Sequence, residues 1–160
     1  MAKLLVLLAL CVLLPALVAS TRVLRNPLIL HGRVYCDTCK CGFETPVTTY
    51  IAGARIRVEC KLRDTLRVVY STEAVTSSSG AYEVSVADDH DDQLCESVLI
   101  SSPQKDCASA MPGRERARVI LTNNNGINSN NRFANNLGFI KDEPLAACAQ
   151  VLKLYEGDEV

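Results

Sequence analysis

From Ala54 to Arg63 apolar and charged residues alternate without a break. Ala54, Ile56, Val58, Cys60 and Leu62 take one side of a two-residue period, and Arg55, Arg57, Glu59, Lys61 and Arg63 take the other. That period belongs to a strand with one buried face, and it puts Cys60 on the inward side. Leu30, Gly32, Val34 and Cys36 alternate in the same way with His31, Arg33 and Tyr35, which predicts an earlier strand ending in a cluster of cysteines. Leu66 to Val75 and Ala81 to Val86 flank Ser77-Ser78-Ser79-Gly80, a turn sequence that predicts a hairpin. Cys95 to Ser101 and Arg116 to Leu121 add two short β-rich runs. With no long 3.6-residue period between them, these segments predict an all-β fold: an antiparallel β-barrel or immunoglobulin-like sandwich of about seven strands. Pro144 to Leu154 carries apolar residues on roughly one side behind a proline and predicts one short C-terminal helix. Thr122 to Asn136, rich in Asn around Gly126, reads as a long polar surface loop.

The first residues change the picture of where the chain goes. Lys3 precedes a nearly uninterrupted apolar run from Leu4 to Val18, followed by the small residues Ala19 and Ser20. This is the pattern of a secretory signal peptide, and the run is shorter than the roughly 20 residues a membrane span requires. Residues 1–20 are expected to be removed, leaving 21–160 as one domain with no membrane span. Removing Lys3 moves the formal charge from -1 to -2. Nothing in that charge favours nucleic acid as a partner.

Export gives meaning to the cysteines. Cys11 lies in the leader, and Cys36, Cys39, Cys41, Cys60, Cys95, Cys107 and Cys148 remain. In an oxidising compartment they read as a disulfide framework, with one thiol left over because seven is odd. Cys41 is the candidate for that thiol, free or bridging to another chain, since three cysteines within six residues are crowded. Cys36 and Cys39 have C-x-x-C spacing, but no thioredoxin-like βαβ pattern surrounds them. Zinc held by Cys36, Cys39 and Cys41 would need a second ligand pair that the sequence lacks.

Little else advertises chemistry. His31 and His90 are the two histidines and neither sits in a nucleophile motif, so no catalytic residue is assigned. His31 points outward on its strand and reads as a surface histidine. Asp88, Asp89, Asp91 and Asp92 surround His90 and offer a weak calcium site, although their spacing is not that of an EF-hand. A solvated acidic loop is the plainer reading, and no cofactor is implied. Arg114, Glu115, Arg116 and Arg118 mix signs and read as an exposed strand entrance.

Gly32-Arg33-Val34-Tyr35-Cys36-Asp37-Thr38-Cys39 resembles the signature of the Ole e I-like pollen proteins of plants. The likeness continues through Gly42-Phe43, Tyr50-Ile51-Ala52-Gly53-Ala54, Val58-Glu59-Cys60-Lys61, Ser102-Pro103, Lys105-Asp106-Cys107, Leu137-Gly138 and Lys141-Asp142. His31, Lys40 and Cys41 depart from the usual residues. The resemblance implies three disulfides, Cys36 with Cys107, Cys39 with Cys148 and Cys60 with Cys95. It also implies a secreted, non-enzymatic protein of the extracellular space or cell wall, acting in pollen hydration, germination or tube growth, and a pollen allergen. An extracellular receptor ectodomain or a cell-wall polysaccharide or glycoprotein is the expected partner, bound by a monomer or by a dimer joined through Cys41. A structural wall protein is the alternative, with a secreted enzyme or protease inhibitor behind it. No Asn-x-Ser/Thr sequon occurs, so N-glycosylation is not expected.

Overall fold

The computed structural model describes residues 26–155, so the leader and its cleavage point lie outside the described residues. The described residues form ten strands: β1 (Leu28–Asp37), β2 (Thr49–Tyr50), β3 (Arg55–Leu62), β4 (Val68–Val75), β5 (Ala81–Val86), β6 (Gln93–Ser101), β7 (Ser109–Ala110), β8 (Arg116–Val119), β9 (Asn131–Phe133) and β10 (Leu137–Ile140). One helix follows, α1 (Cys148–Leu152), shorter than the pattern from Pro144 predicts. Ala147 at its start offers no side-chain cap, and Ala146 and Ala147 form a turn before it, with Pro144 and Leu145 outside any regular element.

Of the two architectures expected, the sandwich is the one adopted. One sheet runs β4-β3-β6-β8, all antiparallel. The other is built around β1. Its first half lies between β5 and β9, and its second half between β2 and β10. The chain from Asn131 to Ile140 thus follows β1 in parallel, interrupted only at Ala134 to Asn136, where the Ala134 amide still donates to the His31 carbonyl at 2.9 Å. These two parallel pairings depart from the all-antiparallel expectation. Short strands within and directly after the Asn-rich segment carry no apolar period to reveal them.

Ser77 to Gly80 corrects a second expectation. It does not close a hairpin: β4 pairs with β3 and β5 pairs with β1, so the turn carries the chain from one sheet to the other. Gly80 has φ +71°, and a Cβ there would lie 2.6 Å from Tyr50 Cβ and 2.8 Å from the Val34 carbonyl, so only glycine fits this crossing.

The core lies between the sheets. Leu28, Leu30, Val34 and Cys36 of β1, with Tyr82, Val84 and Val86 of β5 and Leu137 and Phe139 of β10, meet Ile56, Val58 and Cys60 of β3 and Ala117 and Val119 of β8. Each fully buried Leu, Ile or Val contributes about 1.5–3 kcal/mol. Among the described residues no helix is long and apolar enough to cross a membrane.

Candidate functional site

Three disulfides fix the scaffold. Cys36 is bonded to Cys107, Cys39 to Cys148 and Cys60 to Cys95. Cys60 and Cys95 stand directly opposite on β3 and β6, with Cα atoms 4.0 Å apart. The sulfurs of Cys36 and Cys39 therefore go to different partners, which leaves neither a dithiol nor a thiolate set at that end. Cys41 is the free thiol among the described cysteines. Its loop is organised by the buried Asp37 carboxylate, which accepts the amides of Cys39 at 3.1 Å and Gly42 at 2.7 Å and faces the Cys41 sulfur at 3.6 Å. Burial, and with it the negative charge of Asp37, raises the Cys41 thiol above its ordinary pKa.

The acidic loop after β5 and the Asn-rich loop after β8 are hydrogen-bonded to each other. Asp89 accepts the Asn123 amide at 3.1 Å, Asp91 accepts the Asn124 side-chain amide at 3.2 Å, and the His90 amide donates to the Leu121 carbonyl at 2.9 Å. Arg132, which is buried, then closes the Asn-rich loop on itself. Its guanidinium donates to the carbonyls of Thr122, Ser129 and Asn131. The carboxylates of 88–92 are thus partly spent on holding a neighbouring loop. Among the described residues the group of metal-ligating types that converges is Cys60, His90 and Cys95, not the four aspartates. The two sulfurs of that group are joined in a disulfide, so it offers one imidazole and no thiolate.

His90 is not the solvated histidine that four flanking carboxylates suggest. It is buried, its ring 4.7 Å from that of Tyr70, with Nδ1 3.0 Å from the Gln93 side-chain oxygen. His31 is half-buried on β1, stacked on Phe133 at 5.4 Å, with Nε2 3.2 Å from Asn131 Oδ1 and Nδ1 3.6 Å from Glu83. Among the described residues neither histidine is hydrogen-bonded to a hydroxyl or thiol, the arrangement an activated nucleophile requires. Arg116 pairs with Glu96 at 2.9 Å, whereas Arg118 is exposed and has no ion-pair or hydrogen-bond partner among the described residues.

A cavity of about 330 Å³ lies between the two joined loops, with Arg63, His90, Asp91, Arg118 and Asn125 in its walls. Beside it, across Arg118, a second hollow of about 430 Å³ is bordered by the exposed Ile120, Ile127 and Phe133. Sequence reasoning took Arg118 for part of an exposed strand entrance and passed over Asn125 and Arg132, because no local pattern marks a loop that folds back on itself.

Comparison with known proteins gives this architecture its context. The chain is 44% identical over 154 residues to pollen-specific protein C13 of Zea mays, covering 96% of this chain and 90% of that protein. It is 47% identical over 149 residues to the protein DOWNSTREAM OF FLC of Arabidopsis thaliana, covering 93% and 90%. The crystal structure of the major plantain pollen allergen Pla l 1 superposes with a TM-score of 0.68 at 28% identity, covering 76% of this chain and 99% of that one. The family described as pollen protein Ole e 1 like matches residues 26–156, and the chain belongs to that family.

Proposed function

We propose that the protein is exported from a plant cell, loses residues 1–20, and works in the extracellular space or cell wall as one non-enzymatic domain of residues 21–160. It binds a receptor ectodomain or a cell-wall polysaccharide or glycoprotein, in pollen hydration, germination or tube growth, and is a pollen allergen. Family membership and relatives named as pollen-specific proteins and pollen allergens support this reading. The observation that carries it is the joined pair of loops. Asp89, Asp91 and the His90 backbone hold the Asn-rich loop as a fixed, polar, exposed surface on a disulfide-tied sandwich, the arrangement of a scaffold that presents a binding face. Retention of secreted, oxidised protein on receptor ectodomains and on wall fractions tests it. Capture that survives in an Asp37→Asn variant of the remote cysteine loop, and is lost when Asn123 to Ile127 are replaced by glycine and serine, is the expected result. Capture indifferent to the loop overturns it.

A structural role in the wall is the second reading, and the half-buried Cys41 favours it by offering a thiol for a bridge to another chain. Extraction released only by reductant, and abolished by Cys41→Ser, would support that role.

A further inference from the structure

β4 is the outermost strand of its sheet, and its free edge lacks the usual protection. Eight residues long, it pairs with β3 alone among the described residues. It carries no Lys, Arg, Pro or Gly, and Val69 and Val75 are 42% and 60% exposed. The opposite edge of the same sheet, β8, is four residues long and carries Arg116 and Arg118, features that guard an edge against another chain. The one charged residue of β4, Glu73, already pairs with Arg55 at 2.6 Å and Arg57 at 3.5 Å on β3, so it does little to repel an approaching strand.

The geometry of this edge selects its partner. The Thr76 amide donates to the Ala54 carbonyl at 2.9 Å, and the Thr76 carbonyl accepts the Gly53 amide at 2.9 Å. Main-chain groups of successive residues in a strand point to opposite sides, so Thr72 and Ala74 turn theirs to β3 while Ser71, Glu73 and Val75 turn theirs outward. Cys60 and Cys95, with Cα atoms 4.0 Å apart, have the close spacing of a non-hydrogen-bonded pair, which requires the same alternation in β4. A second copy of the chain, antiparallel about a two-fold axis at Thr72, sets Ser71 opposite Glu73 of the second copy and Val69 opposite Val75 of the second copy, each pair occurring twice. Exposed valines then cover one another, and the Ser71 hydroxyl can donate to the Glu73 carboxylate across the seam. Moving the axis to Glu73 sets two carboxylates against each other, and moving it to Ser71 sets Val69 against Glu73. Hydrogen bonding centres on the Ser71 and Glu73 pairs, because a bulge shifts the register of β3 and β4 beside Val69.

We propose that β4 pairs with β4 of a second copy, joining the two four-stranded sheets into one, without any part played by Cys41. One strand pair buries less than the roughly 1,200 Å² of a stable interface, so the dimer exchanges readily with monomer. The test is sedimentation of the secreted, oxidised protein from roughly 10 µM to 1 mM, with amide hydrogen exchange read at both ends of that range. The mean mass is expected to rise from monomer towards dimer. Exchange should slow at the outward amides of Ser71 and Glu73 but not at Thr72, whose amide faces β3. Ser71→Pro removes an outward donor and leaves the ladder to β3 intact, so it should abolish association in a protein that still folds. Val69→Lys and Val75→Glu, both at exposed positions, should each raise the dissociation constant about tenfold or more. An equimolar mixture of the two should associate more tightly than either alone, because the mixed pair sets the new charges opposite one another. Cys41→Ser should associate like the unaltered protein. Monomer at every concentration, a dimer lost in Cys41→Ser, a dimer indifferent to the three edge substitutions, or a mixture no tighter than its components each overturns the proposal. Slowed exchange at Ser71 in a monomer bound to some other partner would assign the edge to that partner and overturn it as well.

Discussion

Gly32 lacks a side chain for a reason outside its own strand. A Cβ there would lie 2.3 Å from both Cζ and the hydroxyl oxygen of Tyr82, whose side chain is buried over β1. Gly32→Ala is therefore expected to destabilise the fold by about 1–3 kcal/mol, read as a lower urea midpoint with unchanged slope. An unchanged midpoint would mean that the ring moves aside freely. The hydroxyls of Tyr82 and Ser97 face one another across the sheets without hydrogen-bond geometry, and burial holds the Tyr82 hydroxyl above its ordinary pKa. At Cys41 the shift has a chemical consequence, because the thiolate is the reactive form. The alkylation rate of the native protein with iodoacetamide should rise with pH along a curve displaced upward from that of the urea-unfolded chain. Coincident curves would contradict the environment described for this thiol.

Among the elements, β3 and β5 were visible in the sequence because one side of each faces the core. In β3 Ile56, Val58 and Cys60 are buried and Arg55 is exposed, although Glu59 is buried too. In β5 Tyr82, Val84 and Val86 are buried with Glu83 and Ser85 exposed, whereas β4 has no buried residue. β9 and β10 were hidden for a physical reason. Arg132 is the buried residue of β9, an arginine whose terminal nitrogens donate to carbonyls, and β10 is buried along most of its length, so neither presents an alternation of apolar and polar residues. The candidate site was legible only as two polar loops. Their joining depends on hydrogen bonds between residues more than 30 positions apart, which no local window contains. Asp91→Ala should cost about 1 kcal/mol and speed amide exchange at Asn123 and Asn124. Exchange left unchanged would detach the acidic loop from the role given to it. On the opposite side of the molecule, Lys141 lowers the pKa of Asp106 through a hydrogen bond and its charge. A carboxyl depressed in the folded state stabilises above its unfolded pKa, about 3.9, and that contribution disappears as pH falls through the folded value. Lys141→Met should therefore reduce stability at neutral pH and leave less of it to be lost below about pH 4.

For the whole molecule, the three bridges constrain the unfolded chain unequally. Cys39 and Cys148 are 109 residues apart and Cys60 and Cys95 are 35 apart. Opening the longer loop is expected to cost about 1 kcal/mol more in chain entropy than opening the shorter one. Paired Cys-to-Ala variants compared by urea unfolding would measure the difference, and a reversed order would show that packing of Cys60 and Cys95 in the core outweighs the entropy. The position of β1 has a further consequence, for the order of events during synthesis. The first strand to leave the ribosome is bordered on one side by β9 and β10, which emerge about 100 residues later. Until then one edge of β1 has no strand to receive it, and the Cys39 sulfur has no native partner. Pairing of β1 with β9 and β10 and closure of the Cys39–Cys148 bond accordingly wait until nearly the whole chain has been made, which leaves the longest-range contacts to the end.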